Sequence, residues 1–464
     1  MTTPTTPTTP VTITQLRRAL DAGEVTSQSI VETMLDRARD PGGEGARVYL
    51  KLYADQALAQ ARAFDDCRKA GMTSTQLGPL AGIPLSIKDL FDIAGEVTSA
   101  GSIVLRDNAP AASDAPSMQR LRRAGAIFVG RTNMTEWAYG AVGLNGHFGT
   151  PRSVWDRGAD GGAGRIPGGS TSGGAVSVTD GMAAATIGSD TGGSVRIPAS
   201  INGLAGFKPT ARRVPLTGAY PLSRLDSIGP LANSVADCVL LDTILSGGDV
   251  SSLPQPPSLK GMRLGLSRKV LQDALDREIA QPFERALTKL SAAGAQIIEF
   301  DWDELDEYPV TNAKGGFSAA ECHARHRDVL ANRASEIDPW VVIRVGPGAK
   351  QTAADYIDLL AARESWIARS SSRLSAFDAL IAPTVPVAAP RIKPIIDDIA
   401  TLTEYFKANA SVLRNCQLIN FLDGCGLTIP IHDHGQAPAG LMLAGPAMSD
   451  RWILGVGLAA EDAL

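Results

Sequence analysis

The sequence predicts an α/β protein whose sheet draws strands from the whole length of the chain. Two observations carry this. Short apolar runs bounded by glycine or proline recur between residues 84 and 443, and amphipathic stretches of helical period lie between them. Residues 264–266 and 295–300 also read as strands on either side of helical 276–293, a strand–helix–strand unit of the kind that makes parallel neighbours.

The elements follow in order. Residues 1–10 repeat threonine and proline without an apolar face and predict a disordered tail. Residues 12–20 form a short amphipathic helix. A second is expected over 27–39, with Ile30, Val31, Met34 and Leu35 at helical spacing, and a third over 54–70. These are covering helices for the apolar strand ending at Lys88. A helix over 117–124 and a buried strand over 126–130 come next, then the small-residue segment 175–187. Residues 203–207 are strand-like, 226–230 (D-S-I-G-P) read as a loop, and 235–245 as a core helix. Glycine, serine and proline make 246–257 a seam. Strands on both sides of it are expected to join one sheet, so it is a loop inside one domain. Beyond the strand–helix–strand unit, whose Pro282 is expected to kink the helix start, helices are predicted over 318–334 and 353–374. Strands over 379–383, 426–430 and 440–443 complete the sheet.

At 464 residues, with 44% hydrophobic and 20% charged, the chain falls in the globular class and is long enough for a large core. Its net charge of −5 argues against a nucleic-acid or acidic-membrane partner. There is no apolar run of about 18 residues and no secretory leader pattern, so a soluble, cytoplasmic protein is expected. Five scattered cysteines predict buried thiols rather than disulfides. His323, His326, His432 and His434 match no zinc spacing and read as surface residues, so neither a metal nor another cofactor is predicted.

The chemistry concentrates in two glycine-flanked serines, Ser170 in P-G-G-S-T-S-G-G (167–174) and Ser194 in G-S-D-T-G-G-S-V-R-I-P-A (188–199). Glycine lets the backbone bend sharply, and the N–H groups of such a bend favour an oxyanion. A serine hydroxyl still needs a base. The apolar strand in G-I-P-L-S-I-K-D (82–89) delivers Lys88 into hydrophobic surroundings. Free lysine titrates near about 10.4, and burial lowers that value by favouring the neutral amine. A neutral Lys88 takes a proton from one serine, which takes one from the other. Asp190 and Arg196 read as a buried pair steadying the second bend, and Ser172 as a loop hydroxyl bonding locally. Asp89 either shapes the surroundings of Lys88 or is a plain strand-end carboxylate. Two rivals lack their motifs. A nucleotide-binding loop needs G-K-[ST], and a histidine-based serine hydrolase using His147 needs G-x-S-x-G.

A lysine and two glycine-flanked serines in this order resemble the amidase signature family. G-R-T-N-M-T-E-W (130–137), G-F-K-P-T (206–210) and F-D-A-L-I-A-P-T-V-P (377–386) extend the likeness over nearly the whole chain after residue 10. The resemblance implies a single domain, residues 11–464, with a central mixed sheet covered by helices on both faces. Within it, about 246–376 is a more variable helical part that shapes the substrate pocket. The resemblance also implies Ser194 as nucleophile, Ser170 as bridging serine and Lys88 as base, the 24-residue interval (194 − 170) selecting Ser170 over Ser172. It further implies a cis bond into Ser170 and an oxyanion hole from the N–H groups of Thr191, Gly192, Gly193 and Ser194. Trp137 and Tyr139 stand where the family lines its substrate channel, although core packing suits them as well. Thr171 stands where a serine is commoner, and the glycine-rich insertion 157–164 has no evident role. The implied function is hydrolysis of an amide, with esters and carbamates as further substrates. The alternative is the amidase-like component of a tRNA-dependent amidotransferase, although the C-terminal third lacks an R-R-I-L-L-G-type run. The expected partner is a small-molecule amide or carbamate; a homodimer is a further expectation for the family.

Overall fold

A computed structural model describes residues 11–464; the predicted Thr/Pro tail lies outside the described residues. Eleven strands form one sheet. In chain order they are β1 (Tyr49–Leu52), β2 (Pro84–Lys88), β3 (Ile127–Thr132), β4 (Ala185–Asp190), β5 (Ala205–Lys208), β6 (Ser227–Ala232), β7 (Arg263–Leu266), β8 (Gln296–Glu299), β9 (Ala379–Pro383), β10 (Cys425–Pro430) and β11 (Gly440–Gly445). Their spatial order is β1-β3-β2-β4-β6-β5-β10-β11-β9-β7-β8. The sheet is mixed. β2 runs parallel to β3 and β4, and β7 runs parallel to β8 and β9. The remaining pairs, from β4–β6 across to β11–β9 and including the edge pair β1–β3, are antiparallel.

Successive side chains of a strand point to opposite faces, and here each face has its own core. Ala379 and Ile381 of β9, with Leu441 and Leu443 of β11, join the core built on helices Ile13–Asp21, Val235–Ser246 and Asp450–Ala463. Their neighbours Leu380, Ala382, Met442 and Ala444 pack on the other side, with helices Arg196–Asn202, Ala353–Leu374 and Cys416–Phe421. Burial on both faces explains why these strands read as continuous apolar runs instead of alternating ones. The covering helix Ser27–Arg39 begins and ends where its periodicity places it, with Thr26 capping its N-terminus.

The strand–helix–strand unit forms as read, with helix Arg277–Ala292 running through Pro282. Residues 226–230 correct the reading. They are not a loop but mostly part of β6, inside the sheet between β4 and β5. Gly229 and Pro230 look like breakers, yet a Cβ on Gly229 would stand 1.9 Å from the Phe207 carbonyl oxygen, so close strand approach requires the glycine. The edge strand β1 and helices Thr403–Leu413 and Asp450–Ala463 were not singled out in the sequence. All five cysteines are free. Among the described residues no helix is long and apolar enough to cross a membrane.

Candidate active site

Strand β2 is buried at every position and carries Lys88 into the sheet with no exposed surface. Its Nζ lies 2.7 Å from Ser170 Oγ, 2.9 Å from Ser189 Oγ and 3.4 Å from the Ser189 carbonyl oxygen. Burial pulls the Lys88 pKa down to about 7, against the opposing pull of the Asp226 and Asp190 carboxylates. Ser189 was not recognised in the sequence. Only strand pairing could have found it: β2 and β4 run side by side with Ile87 opposite Ile187, which brings residue 88 alongside 188–189.

The peptide bond between Gly169 and Ser170 is cis. Gly169 donates its N–H to Ala141 O at 2.7 Å, and Ser170 O accepts from Thr135 N at 3.2 Å, so both sides of the bend are held. Thr171 then ties the two serine clusters together. Its N–H (3.3 Å) and hydroxyl (2.6 Å) both donate to Ser194 O. Ser172 opens the helix Ser172–Thr179 and departs from expectation. Its hydroxyl is buried without a hydrogen-bond partner among the described residues.

The second bend is organised by Asp190. Its carboxylate accepts from Gly193 N (2.8 Å) and Val195 N (3.2 Å) and pairs with Arg196, whose Nη2 lies 3.0 Å from Oδ1. Both partners are fully buried, and Arg196 also donates to Asn420 Oδ1 and Cys416 O. Burial alone would raise the Asp190 carboxyl. Arg196 overrides it and, with Lys208 and Asn420, holds the group at about 2. This geometry corrects one expected oxyanion donor. The Gly193 N–H is committed to Asp190, whereas the N–H groups of Thr191, Gly192 and Ser194 have no such partner among the described residues. Gly193 itself has φ +133°, and a Cβ there would stand 2.4 Å from Ile197 Cδ1, so glycine is required.

Ser194, Thr191 and Gly192 open onto a cleft of about 330 Å³ whose other walls include Tyr139, Leu222 and Phe317. Behind the wall, Asp226 accepts from the Thr191 hydroxyl (2.5 Å) and from Leu222 N (2.8 Å), fixing one side of the cleft to the other. Burial raises the Asp226 carboxyl to about 6 despite these donors. The arrangement joins a serine on the cleft wall, N–H donors without a protein partner beside it, and a buried amine of depressed pKa on Ser170. Those are the parts acyl transfer requires.

A family model described as Amidase matches residues 29–454. The chain belongs to the amidase signature family. A 2-amino-5-chloromuconic acid deaminase of Comamonas testosteroni is 35% identical over 83% of this chain and 82% of its own. A glutamyl-tRNA(Gln) amidotransferase component from Chromohalobacter salexigens is 30% identical over 96% and 95%. A crystal structure of an amidase superposes with TM-score 0.85 at 30% identity, covering 98% of this chain and 99% of the other. The chain is an amidase-family enzyme of carbon–nitrogen bonds.

In this amidase family member the remaining sequence candidates divide. Tyr139 lines the cleft; Trp137 does not, being buried in the core and stacked on His326 with ring centroids 3.8 Å apart. That stack also corrects the surface reading of His326, which is buried and whose pKa burial lowers to about 4. Asp89 does not touch Lys88. It turns away to pair with Arg131 (2.8 Å) and to accept from Gly101 N (3.0 Å), a structural role. His147 is off the cleft wall, its Nε2 3.3 Å from Glu136 Oε2 and 3.8 Å from Asp338 Oδ1. Glu136, His147 and Asp338 are the one group among the described residues with metal-like spacing, and both carboxylates already accept from the protein, Glu136 from Asp338 N and Asp338 from Gly146 N. The insertion 157–164 acts as a clasp: Arg157 pairs with Asp180, and Asp160 with Arg391.

Proposed function

We propose that this chain hydrolyses a linear amide through an acyl-enzyme on Ser194, with Ser170 and Lys88 as its proton relay. The observation that carries the reading is the 2.7 Å approach of a fully buried Lys88 Nζ, with pKa about 7, to Ser170 Oγ, whose neighbour Thr171 is hydrogen-bonded to Ser194 on the cleft wall. Ser194 Oγ bonds to the carbonyl carbon as its proton passes to Ser170 and the Ser170 proton passes to the neutral amine. The N–H groups of Thr191, Gly192 and Ser194 receive the charge developing on the carbonyl oxygen. Collapse breaks the C–N bond, and the proton returns through Ser170 to the departing nitrogen. Water, deprotonated by the same relay, then releases the carboxylic acid. Asp190 and Arg196 hold the bend without touching the reacting atoms. Esters and carbamates present the same carbonyl and are expected secondary substrates.

A role within an amidotransferase remains the second reading, favoured by the relative from Chromohalobacter salexigens. Hydrolysis of a simple amide by the chain alone separates the two. The test of the mechanism is labelling with an activated fluorophosphonate, digestion and sequencing: the adduct is expected on Ser194, and an adduct on any other serine overturns the assignment.

A further inference from the structure

The cleft that Ser194 opens onto has one charged side chain in its wall, Arg344, from the helix Pro339–Val345. No aspartate or glutamate shares that wall. Arg224, on the loop that supplies Leu222 and Leu225, is by contrast paired with Glu321 at 2.6 Å. Arg344 is treated differently. Its Nη1 donates to two neutral oxygens, Asn409 Oδ1 at 3.1 Å and Tyr139 O at 3.4 Å, and the guanidinium lies 4.5 Å from the Tyr139 ring centroid. Among the described residues it makes no ion pair with a carboxylate, and its remaining polar neighbour is the neutral Tyr405 hydroxyl.

A half-buried guanidinium on the cleft wall is held in place by packing and neutral groups, and its charge is left without a carboxylate partner. It is a preorganised receptor for a planar anion. Its anchors also belong to the catalytic scaffold. Asn409 Oδ1 accepts from Ala141 N at 2.9 Å, and Ala141 O holds the bend at Gly169. The register between Arg344 and the serine pair is therefore fixed through one short stretch of backbone.

We propose that the substrate carries a carboxylate, which Arg344 binds while the scissile carbonyl lies at Ser194. This rests on the acyl-transfer reading of Ser194 and adds the class of substrate. One guanidinium matches one monoanion; a phosphate dianion would leave half its charge uncompensated in this wall. The other polar side chains of the lining, Asn312 and Gln417 among them, are all neutral.

The test compares N-(4-nitrophenyl)succinamic acid with N-(4-nitrophenyl)butanamide, which lacks the carboxylate. The wild-type chain is expected to favour the acid in kcat/KM by on the order of 100-fold, the loss typical of a missing charge-assisted hydrogen bond. Arg344→Gln is expected to bring that ratio to within about threefold of unity, and Arg344→Lys, which keeps the charge without the fork, to an intermediate value. Equal rates on the two amides, or a ratio unchanged in Arg344→Gln, overturn the proposal and leave the hydrolase reading intact. Calorimetric titration of the acid into a Ser194→Ala chain, with and without Arg344→Gln, separates the other failure. Arg344-dependent binding with neither amide cleaved by the wild type overturns the hydrolase reading and retains the anion site. Arg344-independent binding overturns the anion site.

Discussion

Lys88 Nζ stands 2.9 Å from the hydroxyl of Ser189, a residue of the adjoining parallel strand, in addition to its contact with Ser170. A lysine with two hydroxyl neighbours is aimed as well as buried, and Ser189 is a positioning residue for it. Ser189→Ala is expected to lower kcat/KM about tenfold. An acceptor hydroxyl favours the ammonium form, so its removal also moves the acid limb of the pH profile downward. A rate loss with an unmoved limb would reduce Ser189 to packing.

With Lys88 neutral as the working base and its pKa near about 7, kcat/KM should fall as pH drops below that value, roughly tenfold per unit. A profile flat down to about pH 5 counts against neutral Lys88 as the base. Lys88→Ala should lose on the order of 10²–10⁴ in kcat. His147→Ala, which alters a residue off the cleft wall, should stay within about threefold of wild type.

The Asp190–Arg196 pair predicts a stability effect. Arg196→Met leaves Asp190 buried and unpaired, a loss of roughly 3–5 kcal/mol that urea unfolding will measure. The folded Asp190 carboxyl is held at about 2, below its unfolded value near about 3.9. The wild-type contribution is thus fully present above pH of about 4 and fades as pH falls toward about 2. Arg196→Met should flatten that part of the stability curve; an unchanged slope would place the linkage elsewhere.

Gly192 and Gly193 should respond differently to alanine. Gly193→Ala puts a Cβ 2.4 Å from Ile197 Cδ1 and 2.6 Å from Cys416 Cβ at φ +133°, and is expected to cost both activity and thermal stability. At Gly192 the nearest atom would be Leu413 Cδ2 at 3.3 Å, which the wall accommodates by a small shift. Gly192→Ala should retain the wild-type Tm within a few degrees, on the order of a surface substitution, while raising KM by narrowing the cleft. A large drop in Tm for Gly192→Ala would contradict this geometry.

Lys88, Ser170 and Ser194 were legible because each sits in a motif of unusual composition, an isolated cation after an apolar strand and two serines among glycines. The helices at 27–39 and 353–374 were legible because local periodicity and caps fix their ends. Ser189, Asp226 and Arg344 were not. Each is an ordinary residue in its own stretch, and its importance comes from a distant partner: Lys88 for Ser189, Thr191 for Asp226, Tyr139 for Arg344, at separations of 101, 35 and 205 residues. The loop reading of 226–230 failed for a related reason. Gly229 answers to the carbonyl of Phe207 across the sheet and not to a turn of its own.

Composition and short-range pattern therefore determined the class of fold, the family likeness and the serines and lysine that carry it, since these depend on residues close together in the chain. Folding alone decided which N–H groups stay free, since Asp190 takes that of Gly193, and that the cleft holds a single unpaired positive charge. Hydrogen bonds and ion pairs are made over a few ångströms of space, and sequence distance says almost nothing about which partners will meet there.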